Sequence, residues 1–251
     1  MILLLGGHIK SFDQLDFLQE HGFDFGELVI ANDKVRRFWL KSGIRNRFDG
    51  DFFMLAHGPF EGPPNDLRNL TDRYLPSLLD AVDATATMEI RLLTVHMYVD
   101  ARFVGREIVE EKTKALADLV DYARERGVRI NLENLSERAR DLNPVLEAVP
   151  GLGITLDVGH AQILARTNTS FQIIKKLGHR IRHVHLHDNN GGRSHRDDLH
   201  LPIGDGKIDY PKIISRLIKS GYDGTATLEL EKDDLLESRA RVAAMMGDLR
   251  P

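Results

Sequence analysis

Histidines and acids are concentrated in one stretch of the chain, between residues 183 and 209. Its start, Ile181–Leu186, alternates as a β-strand does, with imidazoles on one face and apolar side chains on the other. The rest is polar and glycine-rich, which is typical of a surface loop. Because imidazole and carboxylate groups are ligands of divalent metal ions, we predict a metal site facing a pocket. Among the histidines and acids of the stretch are His183, His185, His187, His195, His200, Asp188, Asp197, Asp198 and Asp205.

Further candidate ligands stand where short apolar runs end. They are His57, His96, Glu133, Asp157, His185 and Glu229, with His160 just beyond Asp157. Each has a simpler interpretation by itself: Glu133 could pair with Arg91 or Arg129, and Asp157 could cap the helix near Gly159. A buried carboxylate at a strand end needs a cation or another partner to offset its lost hydration. Six such residues at six strand ends therefore favour a shared metal site.

Alternating apolar runs and amphipathic stretches indicate the fold. The predicted strands are Ile2–Leu5, Phe25–Ile30, Phe53–Ala56, Arg91–Val95, Val128–Leu132, Gly153–Leu156, Arg180–Leu186 and Thr225–Leu230. The predicted helices are Ser11 to about Gly22, Asp33–Lys41, Leu67–Ala86, Glu107–Arg126, Ser136–Val149, a stretch ending near Gly178, Tyr210–Ser220 and Asp233–Met246. This alternation favours parallel strands joined by helices.

Eight such units in a chain of this length predict an α/β protein, a single (β/α)8 TIM barrel over residues 1–251. A doubly wound open sheet is the main alternative. It would need a glycine-rich phosphate turn after the first strand, which Gly6-Gly7-His8 matches poorly. In a barrel the C-terminal strand ends share one rim, which would bring the candidate ligands together.

The overall composition excludes several classes of protein. The 251 residues include no cysteine, which removes disulfides, thiolate ligands and thiol nucleophiles. No apolar run reaches the length of a membrane span, and the apolar start lacks the basic region of a signal peptide. The net charge of −4 does not favour nucleic acid, although local basic patches leave it open. We therefore expect a cytoplasmic protein that holds metal by imidazoles and carboxylates.

A site with two glutamates, one aspartate and one histidine is rich in oxygen and suits Mn²⁺, Mg²⁺ or Co²⁺, whereas added imidazoles favour Zn²⁺. A single ion could bind adjacent oxygens of a sugar while two carboxylates move a proton between carbons. Two or three ions could instead activate water and bind a phosphodiester. The number of ions thus bears directly on the reaction.

The motifs resemble those of the xylose isomerase-like barrel superfamily, which includes sugar and sugar-phosphate isomerases and epimerases as well as endonuclease IV. The resemblance covers the third to the eighth strand. The matching segments are HGPF at His57, VH at His96, NLENL around Glu133, LDVGHA at Asp157–Ala161, HLHDN at His185–Asn189, DLHLPIGDGKID at Asp198–Asp209 and LELE at Glu229.

Resemblance to the epimerases implies a role for each matching residue. The implied metal ligands are Glu133, Asp157, His185 and Glu229. The two glutamates are also the implied acid/base pair, with Glu231 as the alternative to Glu229, and the implied contact with substrate is His160. His57 and His96 would line the substrate site or, with His160, Asp198 and His200, hold further ions. The endonuclease IV set falls on His57, His96, Glu133, Asp157, His160, His185, Asp198, His200 and Glu229.

Departures from endonuclease IV favour the sugar branch. In endonuclease IV a glycine pair follows the opening motif, and the segment from Gly6 to Phe12 keeps a glycine and a histidine but lacks that pair. The chain is also short and acidic, and strand two carries Glu27. Arg193 follows strand seven, where barrels often bind phosphate, and is a candidate clamp for a phosphate or carboxylate.

We predict a divalent-metal-dependent enzyme that isomerises or epimerises a sugar or sugar phosphate by proton transfer through an enediolate. The alternatives are an endonuclease IV-like phosphodiesterase acting at abasic sites in DNA and a non-catalytic barrel that binds sugar or metal. We expect a small-molecule sugar or sugar phosphate as partner and no membrane, and the sequence leaves a homo-oligomer open.

Overall fold

Eight parallel strands close into one barrel in chain order, which confirms the predicted (β/α)8 fold. The computed structural model describes residues 3–47 and 51–247, apart from the side chain of His195. Ile2, the first residue of the predicted first strand, lies outside that description. The strands are β1 (Leu4–Ile9), β2 (Phe25–Val29), β3 (Phe53–His57), β4 (Leu92–Val95), β5 (Arg129–Glu133), β6 (Gly153–Asp157), β7 (Ile181–Leu186) and β8 (Thr225–Leu228).

Helices follow the strands and pack on the barrel and on one another. They are α1 (Phe12–Glu20), α2 (Asp33–Ser42), α3 (Leu67–Asn69), α4 (Leu75–Thr87), α5 (Arg106–Glu125), α6 (Ala139–Ala148), α7 (Ser170–Leu177), α8 (Tyr210–Lys219) and α9 (Lys232–Gly247). Side-chain caps at Ser11, Asn32 and Asp209 accept backbone N–H groups and fix where α1, α2 and α8 begin. In the part of the chain that is described, no helix combines the length and apolarity needed to cross a bilayer.

Several predicted boundaries were wrong for identifiable reasons. β1 extends to Ile9 although Gly6 and Gly7 are poor strand formers, and Gly6 is needed because a Cβ there would crowd the Phe25 ring. The predicted helix Leu67–Ala86 is interrupted by a wider π turn over Leu70–Tyr74, just before Pro76, which has no N–H to donate.

Two later helices begin after the predicted positions. Before α6, Ser136 donates to Asp100 and Glu137 accepts the backbone N–H of Val99. After β6, only a short 3-10 turn over His160–Gln162 precedes α7, instead of one continuous helix.

The barrel interior has an apolar end and a polar end. Phe25, Leu55 and Leu92 form a small buried cluster inside the barrel, and Phe25 contacts the edge of the His183 ring at 5.9 Å between centroids. Two residues further along β2, on the same face, Glu27 is fully buried. The polar end therefore starts directly above an apolar base and opens at the C-terminal ends of the strands.

Candidate metal centre

All eight strands contribute an imidazole or a carboxylate to the polar end of the barrel. Six of these side chains stand on a strand and two directly follow one. In strand order they are His8, Glu27, His57, His96, Glu133, Asp157, His185 and Glu229. In a parallel barrel the C-terminal strand ends form the active-site face, so this arrangement follows from the fold.

The structure brings together the four ligands implied by the resemblance to epimerases. The His185 Nδ1 atom lies 2.9 Å from Glu229 Oε1, 3.5 Å from Glu133 Oε1 and 3.7 Å from Asp157 Oδ2. His185 and Asp157 are fully buried, Glu133 is 1% exposed and Glu229 is 6% exposed. We call these four residues the primary group.

The inner atoms of the primary group lie close to one another without forming aligned hydrogen bonds. Among residues 3–47 and 51–247, Glu133 Oε1, His185 Nδ1 and Glu229 Oε1 are buried without a hydrogen bond. Unsatisfied polar atoms of this kind cost free energy. They also face one another at distances that a cation of about 2 Å bond length would bridge. The donor set therefore fits a divalent metal ion.

Glu27 determines which nitrogen of His185 faces the primary group. Its carboxylate oxygens lie 3.1 and 3.2 Å from His185 Nε2, so Nε2 carries the proton and donates to Glu27. In the neutral ring, the form that can bind a metal, the Nδ1 lone pair then faces the primary group. Glu27 also accepts from Thr227 and contacts His183, which holds the carboxylate in place.

Glu27→Gln is expected to weaken metal binding by about 10–100-fold while the barrel still folds, because the amide no longer fixes the His185 proton with a negative charge. Competitive titration with Zn²⁺ or Co²⁺ measures the loss. Glu111→Gln, on the exposed face of α5 where Glu111 pairs with Lys114, is the matched control. Equal affinity in the two variants would show that Glu27 does not orient His185.

His57 and His96 both lie on Glu133. Their Nε2 atoms are 3.1 and 3.0 Å from Glu133 Oε2, which leaves Oε1 to face the primary group. Phe60 stacks on His96 with 4.8 Å between ring centroids. The sequence left open a pairing of Glu133 with Arg91 or Arg129. In the structure the imidazoles of His57 and His96 contact its carboxylate instead.

A second cluster lies beside the primary group and contains His160, His187, Asp198 and His200. The Nε2 atoms of His160 and His200 are 3.0 and 3.2 Å from Asp198 Oδ2. His160 also approaches the primary group, since its Nδ1 lies 3.1 Å from Glu133 Oε1. We call this set of four the second group.

Charges within the centre balance one another. Burial raises the pKa of both Glu133 and Glu229. The imidazoles of His96 and His185 more than offset this for Glu133, and those of His185 and His8 do so for Glu229. Both pKa values are therefore held well below the usual range. Burial lowers the pKa of His185, and the surrounding carboxylates more than offset this and raise it well above the ordinary value. The carboxylates are thus ionised, as metal binding requires.

A cavity of about 640 Å³ opens beside the centre. His96, His160 and Asp198 line its inner side, and Arg193 lies at its wall. Phe60, Tyr98, Phe103, Leu135, Ile163 and Leu164 supply an apolar surface. The cavity has room for a small organic molecule in contact with both groups.

The structure adds His8 to the centre and corrects the end of the last strand. His8 Nε2 lies 3.0 Å from Glu229 Oε1, but its strand was expected to end before it. The last strand was predicted to run to Leu230, and this boundary was wrong. β8 ends at Leu228, so Glu229 points inward while Glu231 is 81% exposed. Asp157 also caps the following turn, accepting the backbone N–H of His160.

A closed parallel barrel with buried imidazoles and carboxylates at its C-terminal face defines the class of protein. The family of xylose isomerase-like TIM barrels has a sequence model that matches residues 15–248 of this chain. The chain belongs to that family.

Individual relatives agree with this assignment. An uncharacterized protein of Methanocaldococcus jannaschii is 28% identical over 235 residues, which cover 86% of this chain and 77% of that protein. Fructoselysine 3-epimerase of Shigella flexneri is 30% identical over 124 residues, covering 46% of this chain and 43% of the epimerase. The structure of a Thermus thermophilus protein soaked with ZnCl2 superimposes with a TM-score of 0.75 at 27% identity and covers 100% of both chains.

Proposed function

We propose that this protein is a divalent-metal-dependent epimerase or isomerase of a sugar or sugar phosphate. The observation that carries the proposal is the primary group, in which two buried glutamates flank His185 and, among the described residues, their inner oxygens contact imidazoles without an aligned hydrogen bond. The partial match to fructoselysine 3-epimerase supports a sugar as the substrate class. A barrel that only bound a ligand would not require two such carboxylates.

The metal would be held by Glu133, Asp157, His185 and Glu229. Their oxygen-rich set suits Mn²⁺, Co²⁺ or Mg²⁺, and the nearby imidazoles add affinity for Zn²⁺. When bound, the ion would polarise a carbonyl and a neighbouring hydroxyl of the substrate.

Glu133 and Glu229 are proposed to exchange the substrate proton. As a base, one carboxylate takes the proton from the carbon next to the carbonyl and leaves an enediolate. The other carboxylate, once it has taken up a proton from a substrate hydroxyl or a water molecule, returns a proton to that carbon or its neighbour. Burial at 1% and 6% exposure keeps bulk water from competing for the intermediate. His160, which lines the cavity and contacts Glu133 Oε1, is proposed to orient a substrate hydroxyl.

The cavity wall is proposed to select the substrate. His57 and His96 hold Glu133 from one side, and His96 also lines the cavity. Arg193 is the cationic side chain among the residues that line the cavity, which makes it the candidate clamp for a phosphate. A phosphorylated substrate would pair with it, whereas a free sugar would depend on the imidazoles.

The alternative function, a phosphodiesterase resembling endonuclease IV, is favoured by the second group, because these four residues are candidate ligands for an ion in addition to the one in the primary group. In an epimerase, His57→Ala and Asp198→Ala should lower activity and leave the primary metal bound. In a phosphodiesterase that uses every ion, the same changes should remove both an ion and the reaction.

Deuterium exchange tests the proposal. The metal-loaded protein is incubated in D₂O with free and phosphorylated ketoses, and separately with duplex DNA that carries an abasic site. We expect deuterium to enter next to the carbonyl of at least one sugar, and Glu133→Gln to stop it. Incision of the DNA without exchange into any sugar would falsify the epimerase and establish the alternative.

A further inference from the structure

We propose that Arg102 is a positioning residue that fixes one wall of the cavity by joining the three loops that form it. Its guanidinium binds the loops that follow β4, β5 and β6. These loops supply the part of the cavity lining that we call the outer wall: Tyr98, Phe103, Leu135, Ser136, Ile163 and Leu164. The expected effect on substrate binding rests on the proposed function, whereas the expected effect on the loops does not.

Each nitrogen of the Arg102 guanidinium donates to one of these loops. In the loop after β4, Nε and Nη2 lie 2.9 Å from Asp100 Oδ1 and 2.5 Å from Asp100 Oδ2. Nη2 also lies 2.7 Å from the carbonyl oxygen of Ser136 after β5, and Nη1 lies 2.9 Å from that of Leu164 after β6. Because the donors of a guanidinium lie in one rigid plane, these bonds form together only when the three loops keep this arrangement.

Asp100 holds the guanidinium in place. It is fully buried and also accepts the Ser136 hydroxyl and the backbone N–H of Arg102, both at 2.9 Å. Burial raises the pKa of Asp100, but the hydrogen bonds from Arg102 and Ser136 more than offset this and hold the pKa below its ordinary value. An ionised carboxylate that pairs with an arginine through two bonds makes a strong and directional contact. The position of Arg102 is therefore fixed from inside the protein.

The same network reaches the cavity surface through Tyr98. Because Ser136 donates its proton to Asp100, the Tyr98 hydroxyl, which lies 2.6 Å from Ser136 Oγ, donates to Ser136. Burial raises the pKa of Tyr98 to about 12, so the hydroxyl keeps the proton that this bond requires. The orientation of a ring in the outer wall thus depends on the pair of Asp100 and Arg102.

Leu164 carries backbone strain at the cavity surface. Its φ is 55°, a left-handed conformation that a leucine rarely adopts and that persists only where the surrounding structure imposes it. Two hydrogen bonds of 2.9 Å hold it there: its carbonyl oxygen accepts from Arg102, and its N–H donates to the carbonyl oxygen of Gly192. Without the bond from Arg102, we expect this backbone to relax and to carry the Leu164 side chain out of the outer wall.

Arg102→Lys tests the proposal, because lysine keeps the positive charge beside Asp100 but lacks the planar set of donors. On the sugar identified by deuterium exchange, we expect KM to rise about 10-fold, as for the loss of a small apolar contact in a binding pocket. The value of kcat and the affinity for the primary metal should stay unchanged, since the contacts of Arg102 lie in the loops. Arg106→Lys, which changes an arginine that is 92% exposed and pairs with Glu110, is the matched control.

A double-mutant cycle shows whether Arg102 acts through Leu164. Leu164→Ala removes the side chain from the outer wall and should raise KM by itself. In the Arg102→Lys protein the same substitution should raise KM by a smaller factor, because the side chain has already left the wall.

Amide hydrogen exchange follows the loops without a substrate. Arg102→Lys should speed exchange in all three loops and leave the strands of the barrel unchanged, and Arg106→Lys should alter neither. If no sugar is turned over, the proposed function fails, while hydrogen exchange still decides whether Arg102 joins the loops.

Three results would overturn the proposal. In the first, the loops exchange equally fast in Arg102→Lys and in the unaltered protein. In the second, the KM effects of Arg102→Lys and Leu164→Ala add fully. In the third, kcat and metal affinity fall together with substrate binding, which would show that Arg102 supports the barrel in general. Should Arg102→Lys not fold, Asp100→Asn combined with Arg102→Met takes its place, since removing both charges leaves no buried carboxylate without its cation.

Discussion

Glu133→Gln is expected to lower turnover by about 10²–10⁴-fold and to weaken metal binding, with the barrel intact. Glutamine keeps the size of the side chain but removes its charge, and an amide nitrogen replaces one carboxylate oxygen. Both oxygens matter: Oε2 contacts His57 and His96, and Oε1 faces the primary group. Glu229→Gln should behave in the same way. Steady-state rates on the sugar identified by deuterium exchange, together with metal titrations, provide the measurement.

Glu231→Gln is the control for this pair. Glu231 has the same side chain two residues beyond Glu229, but it is 81% exposed and lies 3.9 Å from Lys10. Exposed pairs of this kind contribute about 0–1 kcal/mol, so the variant should retain its rate and its metal. A larger loss in Glu231→Gln than in Glu229→Gln would show that the base on this side is wrongly assigned.

Removing bound metal is expected to lower the melting temperature substantially. A ligand at about 100 times its dissociation constant stabilises the folded state by roughly 2.7 kcal/mol. For a protein of this size each kcal/mol corresponds to about 2–4 °C, which gives a shift of roughly 5–10 °C. The physical source is the set of buried atoms in the primary group that form no hydrogen bond within the described residues.

Melting curves recorded after chelation, and again after addition of Mn²⁺, Co²⁺ or Zn²⁺, measure the shift. Glu133→Gln is the internal control, since it should respond less to the same ions. Bound metal should also be found by elemental analysis of the untreated protein. An equal melting temperature with and without each ion, in a protein that contains no metal, would rule out the site.

The repeating pattern of apolar runs was sufficient to predict the barrel, because in a chain of this length eight strand–helix units form a parallel closed sheet. It also allowed the rim residues to be located, since a residue that ends a parallel strand lies on a known face. His57, Glu133 and Asp157 end their strands in the structure as they do in the sequence. That their side chains carry out the proposed chemistry remains a prediction.

Contacts across the barrel interior were beyond the reach of the sequence. Glu27 on β2 meets His183 and His185 on β7, although those strands are not neighbours in the barrel. Local periodicity reports which face a residue occupies but not which side chains meet across the closed interior. His8 was missed for a different reason, because two glycines precede it and conceal the continuation of its strand.

The distribution of the primary group along the chain has a consequence for folding. Its ligands span residues 133 to 229, and Glu229 directly follows β8, the strand that pairs with β1 to complete the ring. A folding intermediate that lacks this last pairing contains only part of the coordination set. High-affinity metal capture would therefore come after ring closure, and bound metal would slow the reopening of the β1–β8 seam. Bound metal would therefore lower the unfolding rate of the closed barrel.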